Sequence, residues 1–242
     1  RISDNGLWGI AETAGSNDGS IAPAGGTLIN IANPSANVTI THPSGLAGVS
    51  DVTNDGEIVV GECVGKPAFW KQSTKEWTQL PLPPGYILGR LTAVTPDGKI
   101  AIGNISQVNE WSFTPVAYDL TTLEIIELPG IPHVDMDNNN TGQTSVSNIS
   151  ADGRYLVGLV SQSYYPDVCS YIYDRNTSTY KFIGFNTPAG YDPDKPMTSK
   201  TKWTPLAENL SFIDEINISP NGKWASGFAY VTNPIPGSEF FN

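Results

Sequence analysis

The sequence predicts an all-β fold, a β-propeller of repeated four-stranded antiparallel blades. Three observations carry that expectation: a ten-residue turn-and-strand pattern that recurs five times, a second hairpin pattern that follows it, and a composition of short apolar runs set between turn residues.

The recurring pattern reads Ile2-Ser-Asp-Asn-Gly-Leu-Trp-Gly-Ile-Ala11, Val52-Thr-Asn-Asp-Gly-Glu-Ile-Val-Val-Gly61 and Val94-Thr-Pro-Asp-Gly-Lys-Ile-Ala-Ile-Gly103, then Ile149-Ser-Ala-Asp-Gly-Arg-Tyr-Leu-Val-Gly158 and Ile218-Ser-Pro-Asn-Gly-Lys-Trp-Ala-Ser-Gly227. Asp-Gly or Asn-Gly between two β-prone runs marks a tight hairpin, because both residue types tolerate positive φ. Each run after the turn is too short for a helix and reads as a buried strand. The closing small residue (Ala11, Gly61, Gly103, Gly158, Gly227) predicts close backbone approach near a crowded axis.

The second pattern places Trp70-Lys71 before Trp77, Tyr118-Asp119 before Ile125 and Tyr173-Asp174 before Tyr180, each at a spacing of seven. Ile31 and Val38 supply a weaker version in the first unit. The residues between are polar and turn-like, so this is a second hairpin. Leu80-Pro81 and Leu128-Pro129 end two of its outer strands, where a residue without an N–H is tolerated. Two hairpins make four strands per unit. Motif glycines at 6, 56, 98, 153 and 222 give repeat spacings close to those of propeller blades carrying loop insertions. The expected organisation is one domain with units of approximately 1–44, 45–84, 85–130, 131–184 and 185–242, the last incomplete.

The motif followed by Ala68-Phe69-Trp70 resembles the HAF-type probable extracellular repeat of bacteria, and the Tyr-Asp hairpin ending in Leu-Pro is similar to kelch-like propeller blades. Lys66-Pro67-Ala68-Phe69 stands where a HAF repeat has His-Ala-Phe, and the other units lack the triplet. The resemblance implies a bacterial protein of the cell exterior, at the surface, secreted or in the periplasm. It carries no agreed catalytic residues.

Composition narrows the function. The chain of 242 residues holds 13 Lys and Arg against 24 Asp and Glu, a net charge of −11. Such a surface repels nucleic acid and anionic membranes, and no basic run offsets it. No apolar stretch reaches the ~20 residues of a membrane-spanning helix. Cys63 and Cys169 fall in different units and are expected to stay unbridged.

Blade topology sends the connections between hairpins and between blades to one face. These include every long loop, approximately 12–25, 104–113, 129–143, 161–169 and 184–212. Insertions confined to one face of a repeat array mark a binding face. The aromatics there, Tyr86, Trp111, Tyr164, Tyr165, Tyr191 and Trp203, are candidate ligand contacts able to stack on sugars or anchor a protein. Asp135, Asp137 and Asn139 alternate as the first ligands of a calcium loop do, but Asn140 replaces the required Gly and Val146 the closing Glu. No cofactor is expected, with calcium a weak alternative.

No catalytic motif is present. The expected function is therefore an extracellular binding module for carbohydrate or protein. The alternatives are a glycoside-cleaving enzyme using loop carboxylates (Asp135, Asp137, Asp167, Asp192, Asp194) and a purely structural part of a larger surface protein. Four and a half blades further predict a fragment of a longer propeller, or a five-bladed ring whose last blade is short. Open strand edges then invite self-association.

Overall fold

The computed structural model describes residues 1–13, 25–44, 47–107, 113–132, 143–161, 168–183, 185–186, 204–205 and 210–231, which are strands and turns apart from one short 3-10 segment, Pro34–Ala36. The architecture is a β-propeller. The first sheet holds β1 (Trp8–Thr13), β2 (Gly25–Asn30) and β3 (Val38–Ile40). The second holds β4 (Ala47–Val52), β5 (Ile58–Cys63), β6 (Lys66–Lys71) and β7 (Glu76–Gln79). The third holds β8 (Leu88–Val94), β9 (Ile100–Ser106), β10 (Thr114–Asp119) and β11 (Glu124–Ile126), and the fourth β12 (Gln143–Ile149), β13 (Tyr155–Ser161), β14 (Val168–Asp174) and β15 (Thr179–Ile183). Two pairs follow: β16 (Phe185–Asn186) with β17 (Thr204–Pro205), and β18 (Leu210–Ile218) with β19 (Ala225–Val231). Every four-stranded sheet pairs its strands antiparallel in chain order.

The repeated motif forms the turn between the first and second strands of the three four-stranded sheets and of the β18–β19 pair. In the first unit it precedes β1, where Ile2 makes an isolated bridge to Gly9. One hydrogen-bond network is copied in all five turns. In the second sheet the Thr53 hydroxyl donates to Asp55 Oδ1 (2.6 Å), the Ile58 N–H donates to Thr53 Oγ1 (3.0 Å), and the Glu57 N–H donates to Asp55 Oδ1 (3.0 Å). Thr95 and Asp97, Ser150 and Asp152, Ser219 and Asn221, and Ser3 and Asn5 repeat it. Only the glycine takes positive φ (67° to 73°). The sequence reading gave both residues of the pair that role. Instead the Asp or Asn side chain caps the N–H groups that leave the turn, which is why the two types interchange there.

In the second hairpin, Trp70 faces Trp77, Tyr118 faces Ile125 and Tyr173 faces Tyr180 across their ladders. The first unit departs from expectation. Its ladder pairs Leu28 with Val38 through the Pro34–Ala36 turn, which leaves Ile31 outside the sheet and exposed. In the other three units the residue before the outer strand is Lys75, Leu123 or Ser178, each left-handed without being glycine.

The core lies between sheets. Ile10, Leu28 and Ile40 of the first sheet pack on Val49, Val52, Val59 and Trp70 of the second. Val60 and Phe69 meet Leu91, Val94 and Tyr118 of the third, and Ala93, Ile102 and Ala117 meet Val146, Leu156 and Tyr171 of the fourth. Each Val, Leu, Ile or Phe side chain among these contributes about 1.5–3 kcal/mol by leaving water. The prolines after the outer strands serve this packing as well. The Tyr118 hydroxyl donates to Pro81 O (2.8 Å), and the Tyr173 hydroxyl to Pro129 O (2.7 Å), tying each blade to the one before it. Cys63 and Cys169 are buried in separate sheets and form no disulfide.

Candidate functional site

The inner strands β4, β8 and β12 each carry a β-bulge, and the bulges shape a cavity on the propeller axis. The register slips between Val49 and Asp51, between Leu91 and Ala93, and between Val146 and Asn148. The extra residues are Ser50, Thr92 and Ser147, all of which line the cavity. A bulge turns one side chain out of the sheet's alternation, and here it turns a hydroxyl residue toward the axis. The glycine opposite makes this fit. A Cβ on Gly61, Gly103 or Gly158 would stand 2.0, 2.1 or 1.9 Å from the carbonyl oxygen of Gly48, Arg90 or Ser145. The expected crowding is thus the approach of each second strand to its own inner strand.

The cavity has a volume of about 540 Å³ and is lined by Arg1, Arg90, Asn104, Phe113 and Gln143 besides the bulge residues. That volume lies in the range of ligand pockets. Neighbouring blades hold its walls through side chains. Arg90 donates to Ser50 Oγ (2.8 Å), to Val49 O (2.9 Å) and to Glu12 Oε1 (3.0 Å). Asn104 brackets Val146, giving a hydrogen bond to its carbonyl (3.0 Å) and taking one from its N–H (2.8 Å). Arg1 crosses the axis, donating to Thr92 O (3.1 Å) and pairing with Asp51 (3.1 Å). Burial pushes the Asp51 carboxyl above its ordinary range, opposed by the Arg1 charge and by the N–H groups of Val94 and Val52. A second, much smaller polar recess continues along the axis between Asp51, Asp4, Pro96 and Asn148, toward the motif turns.

Phe113 and Gln143 begin or end the connections between hairpins and between blades, so the wider cavity opens on the side where those connections leave. Of the six candidate aromatics, Tyr86 is half-buried against the core between the second and third sheets, with its hydroxyl on Thr114 Oγ1 (3.3 Å), and it does not line the cavity. Trp111, Tyr164, Tyr165, Tyr191 and Trp203 lie outside the described residues, as do Asp135, Asp137 and Asn139 and the other loop carboxylates, Asp167, Asp192 and Asp194. No cluster of three or more metal-ligating side chains occurs among the described residues. No described helix is long and apolar enough to cross a membrane. Sequence reasoning missed the axial residues. A signal was present: Ser50, Thr92 and Ser147 each stand two positions before the motif's first residue.

No protein-family model matches the chain, and no curated protein matches it. Solved structures do. TolB from Acinetobacter baumannii superposes with a TM-score of 0.53 at 18% identity, over 93% of this chain and 46% of that protein. A putative TolB from Agrobacterium tumefaciens gives 0.51 at 12% identity, over 75% of this chain and 62% of that one. The tricorn protease gives 0.50 at 8%, over 93% of this chain and 28% of that one. These likenesses show the propeller fold. The chain spans about half the length of the Acinetobacter TolB that it matches.

Proposed function

We propose that this propeller is a binding module of the bacterial cell exterior that takes a polar segment of a protein partner at the wide mouth of its axial cavity. The observation that carries the reading is the repeated bulge, which brings hydroxyl residues from three successive blades to one opening. Arg1 and Arg90 add guanidinium N–H donors there, each already paired with a carboxylate, Asp51 or Glu12. A run of backbone carbonyls and N–H groups complements such a lining of hydroxyls, amides and guanidinium N–H groups. The propeller supplies rigidity, since each wall is hydrogen-bonded to the next blade before a ligand arrives, and a preformed site avoids the cost of ordering.

A displayed peptide library and a glycan array, presented to the same protein, test this. The expected result is enrichment of peptides whose affinity falls about tenfold on truncating Phe113 or Gln143 to Ala. Binding confined to glycans, or release of reducing sugar from them, would replace the proposal with the carbohydrate or glycosidase reading.

A further inference from the structure

Most polar side chains that line the wide axial cavity are already engaged within the protein. Arg1 pairs with Asp51, and Arg90 with Glu12 and Ser50. Thr92 donates to Val146 O (3.1 Å) and Ser147 to Val157 O (3.3 Å), while Asn104 holds both the N–H and the carbonyl of Val146. Gln143 and Ser145, both on β12, stand apart. They line the cavity half-buried, and among the described residues neither side chain makes a hydrogen bond.

The repeat shows how this strand differs from its equivalents. Counted back from the motif, Ser145 corresponds to Gly48 on β4 and to Arg90 on β8, and Gln143 corresponds to Leu88. Gly48 brings no side chain, and Glu12 Oε1 stands 2.8 Å from where its Cβ would be. Arg90 is spent on the second blade. Of the three bulged strands, β12 alone offers unengaged polar groups at these positions. Its backbone is fixed around them. The Thr144 N–H donates to Phe113 O (3.1 Å), Ser145 O accepts from the buried Tyr171 hydroxyl (3.0 Å), and Asn104 brackets Val146. The first bond also ties Phe113, another lining residue, to the stretch that carries Gln143 and Ser145. β12 itself packs between the third sheet and β18.

We propose that β12 is the strand that reads the ligand, with Gln143 and Ser145 taking the side-chain carboxamide of an asparagine or glutamine in the bound segment. This rests on the axial mouth being a peptide site. A ligand carboxylate would meet guanidinium groups already paired with carboxylates, and a ligand ammonium would meet a lining that holds no carboxylate. Either charge would lose water without compensation. A backbone amide is trans and points its N–H and its carbonyl to opposite sides. A primary carboxamide carries donor and acceptor on one edge. It matches the edge of the Gln143 amide in a pair of hydrogen bonds, and the Ser145 hydroxyl takes the remaining N–H or lone pair.

The test resynthesises peptides enriched from a displayed random library, with each Asn or Gln changed in turn to Asp or Glu. Affinities are measured for the unmodified protein, Gln143→Leu and Ser145→Ala. Gln143→Leu gives β12 the residue that β8 carries as Leu88, and Ser145→Ala removes only a hydroxyl. If one variant melts low, the other decides. The enriched peptides are expected to share one Asn or Gln position, whose change to the acid weakens binding about tenfold, the scale of a lost hydrogen bond. In either variant that difference shrinks to about twofold or less. A fresh selection on Gln143→Leu then enriches an apolar residue at the same position. Enriched peptides with no shared carboxamide, or an amide preference that survives both substitutions, overturn this proposal and leave the peptide site standing. A library that yields no binding peptide overturns both.

Discussion

Gly103→Ala places one methyl group where a strand must pass. The new Cβ would sit 2.1 Å from the Arg90 carbonyl oxygen and 2.7 Å from Leu91 Cα, both backbone atoms of the bulged strand β8. Ordinary contact requires more than 1 Å of further separation, so β8 and β9 must part or the bulge must unwind. Overpacking of this kind costs about 1–3 kcal/mol, and each ladder bond lost around the bulge adds ~1 kcal/mol. The expected loss is about 3 kcal/mol, which in a chain of this length lowers the melting temperature by roughly 6–12 °C. Gly98→Ala supplies the comparison. Its φ of +71° makes any side chain strained, but its nearest neighbour is the flexible end of Ile58, 2.9 Å away, so the expected loss is only ~1 kcal/mol. Paired thermal and denaturant melts of both variants check the ranking. Gly103→Ala within about 0.5 kcal/mol of the unmodified protein would refute the bulge argument.

Lys75→Gly relieves a left-handed backbone on an exposed residue and is expected to stabilise by ~0.5–1 kcal/mol, read from the denaturant midpoint. Thr95→Val removes the hydroxyl that joins Asp97 to the Ile100 N–H and is expected to cost about 1–2 kcal/mol, whereas Asp97→Asn, which copies Asn5 and Asn221, leaves stability nearly unchanged. Burial pushes the Tyr118 hydroxyl up to about 12. Its folded value exceeds its unfolded one, so its stabilisation is complete below pH ~10 and is lost as pH rises toward 12. Tyr118→Phe should flatten that alkaline loss while weakening the protein at neutral pH through the missing bond to Pro81. The hydrogen bond from Arg154 holds the Asp174 carboxyl below its usual value. Its contribution is present above pH ~4 and is lost as pH falls through the lowered value, so Asp174→Asn should reduce the steepness of acid unfolding.

Local rules made the fold legible. Asp-Gly and Asn-Gly turns, short apolar runs and the seven-residue spacing of Trp70 with Trp77 all express contacts close in sequence. The turns, strands and second hairpin appear where they were read, though only the glycine of each turn takes positive φ. Legibility failed where distant segments cooperate. The prolines of Leu80-Pro81 and Leu128-Pro129 read as strand ends, yet their carbonyls are acceptors for tyrosines in the next blade. The closing glycines announced close approach but not the partner, because a bulge is visible only once β4, β8 and β12 are paired. The axial site was hidden for the same reason. Ser50, Thr92 and Ser147 are ordinary strand residues until the bulge turns them, and Arg1 acquires its role only when the first unit meets the third. Attention to exposed aromatics led to loops, and the one described member, Tyr86, packs on the core.

The measurement closest to the central claim places a photo-activated cross-linking side chain at Gln143, on the axial mouth, or at Lys99, on the turn face, and exposes each protein to a peptide enriched from the library. The account predicts a cross-link from position 143 and none from position 99. A peptide captured from position 99, or from both positions equally, would contradict the assignment of the axial mouth as the binding site.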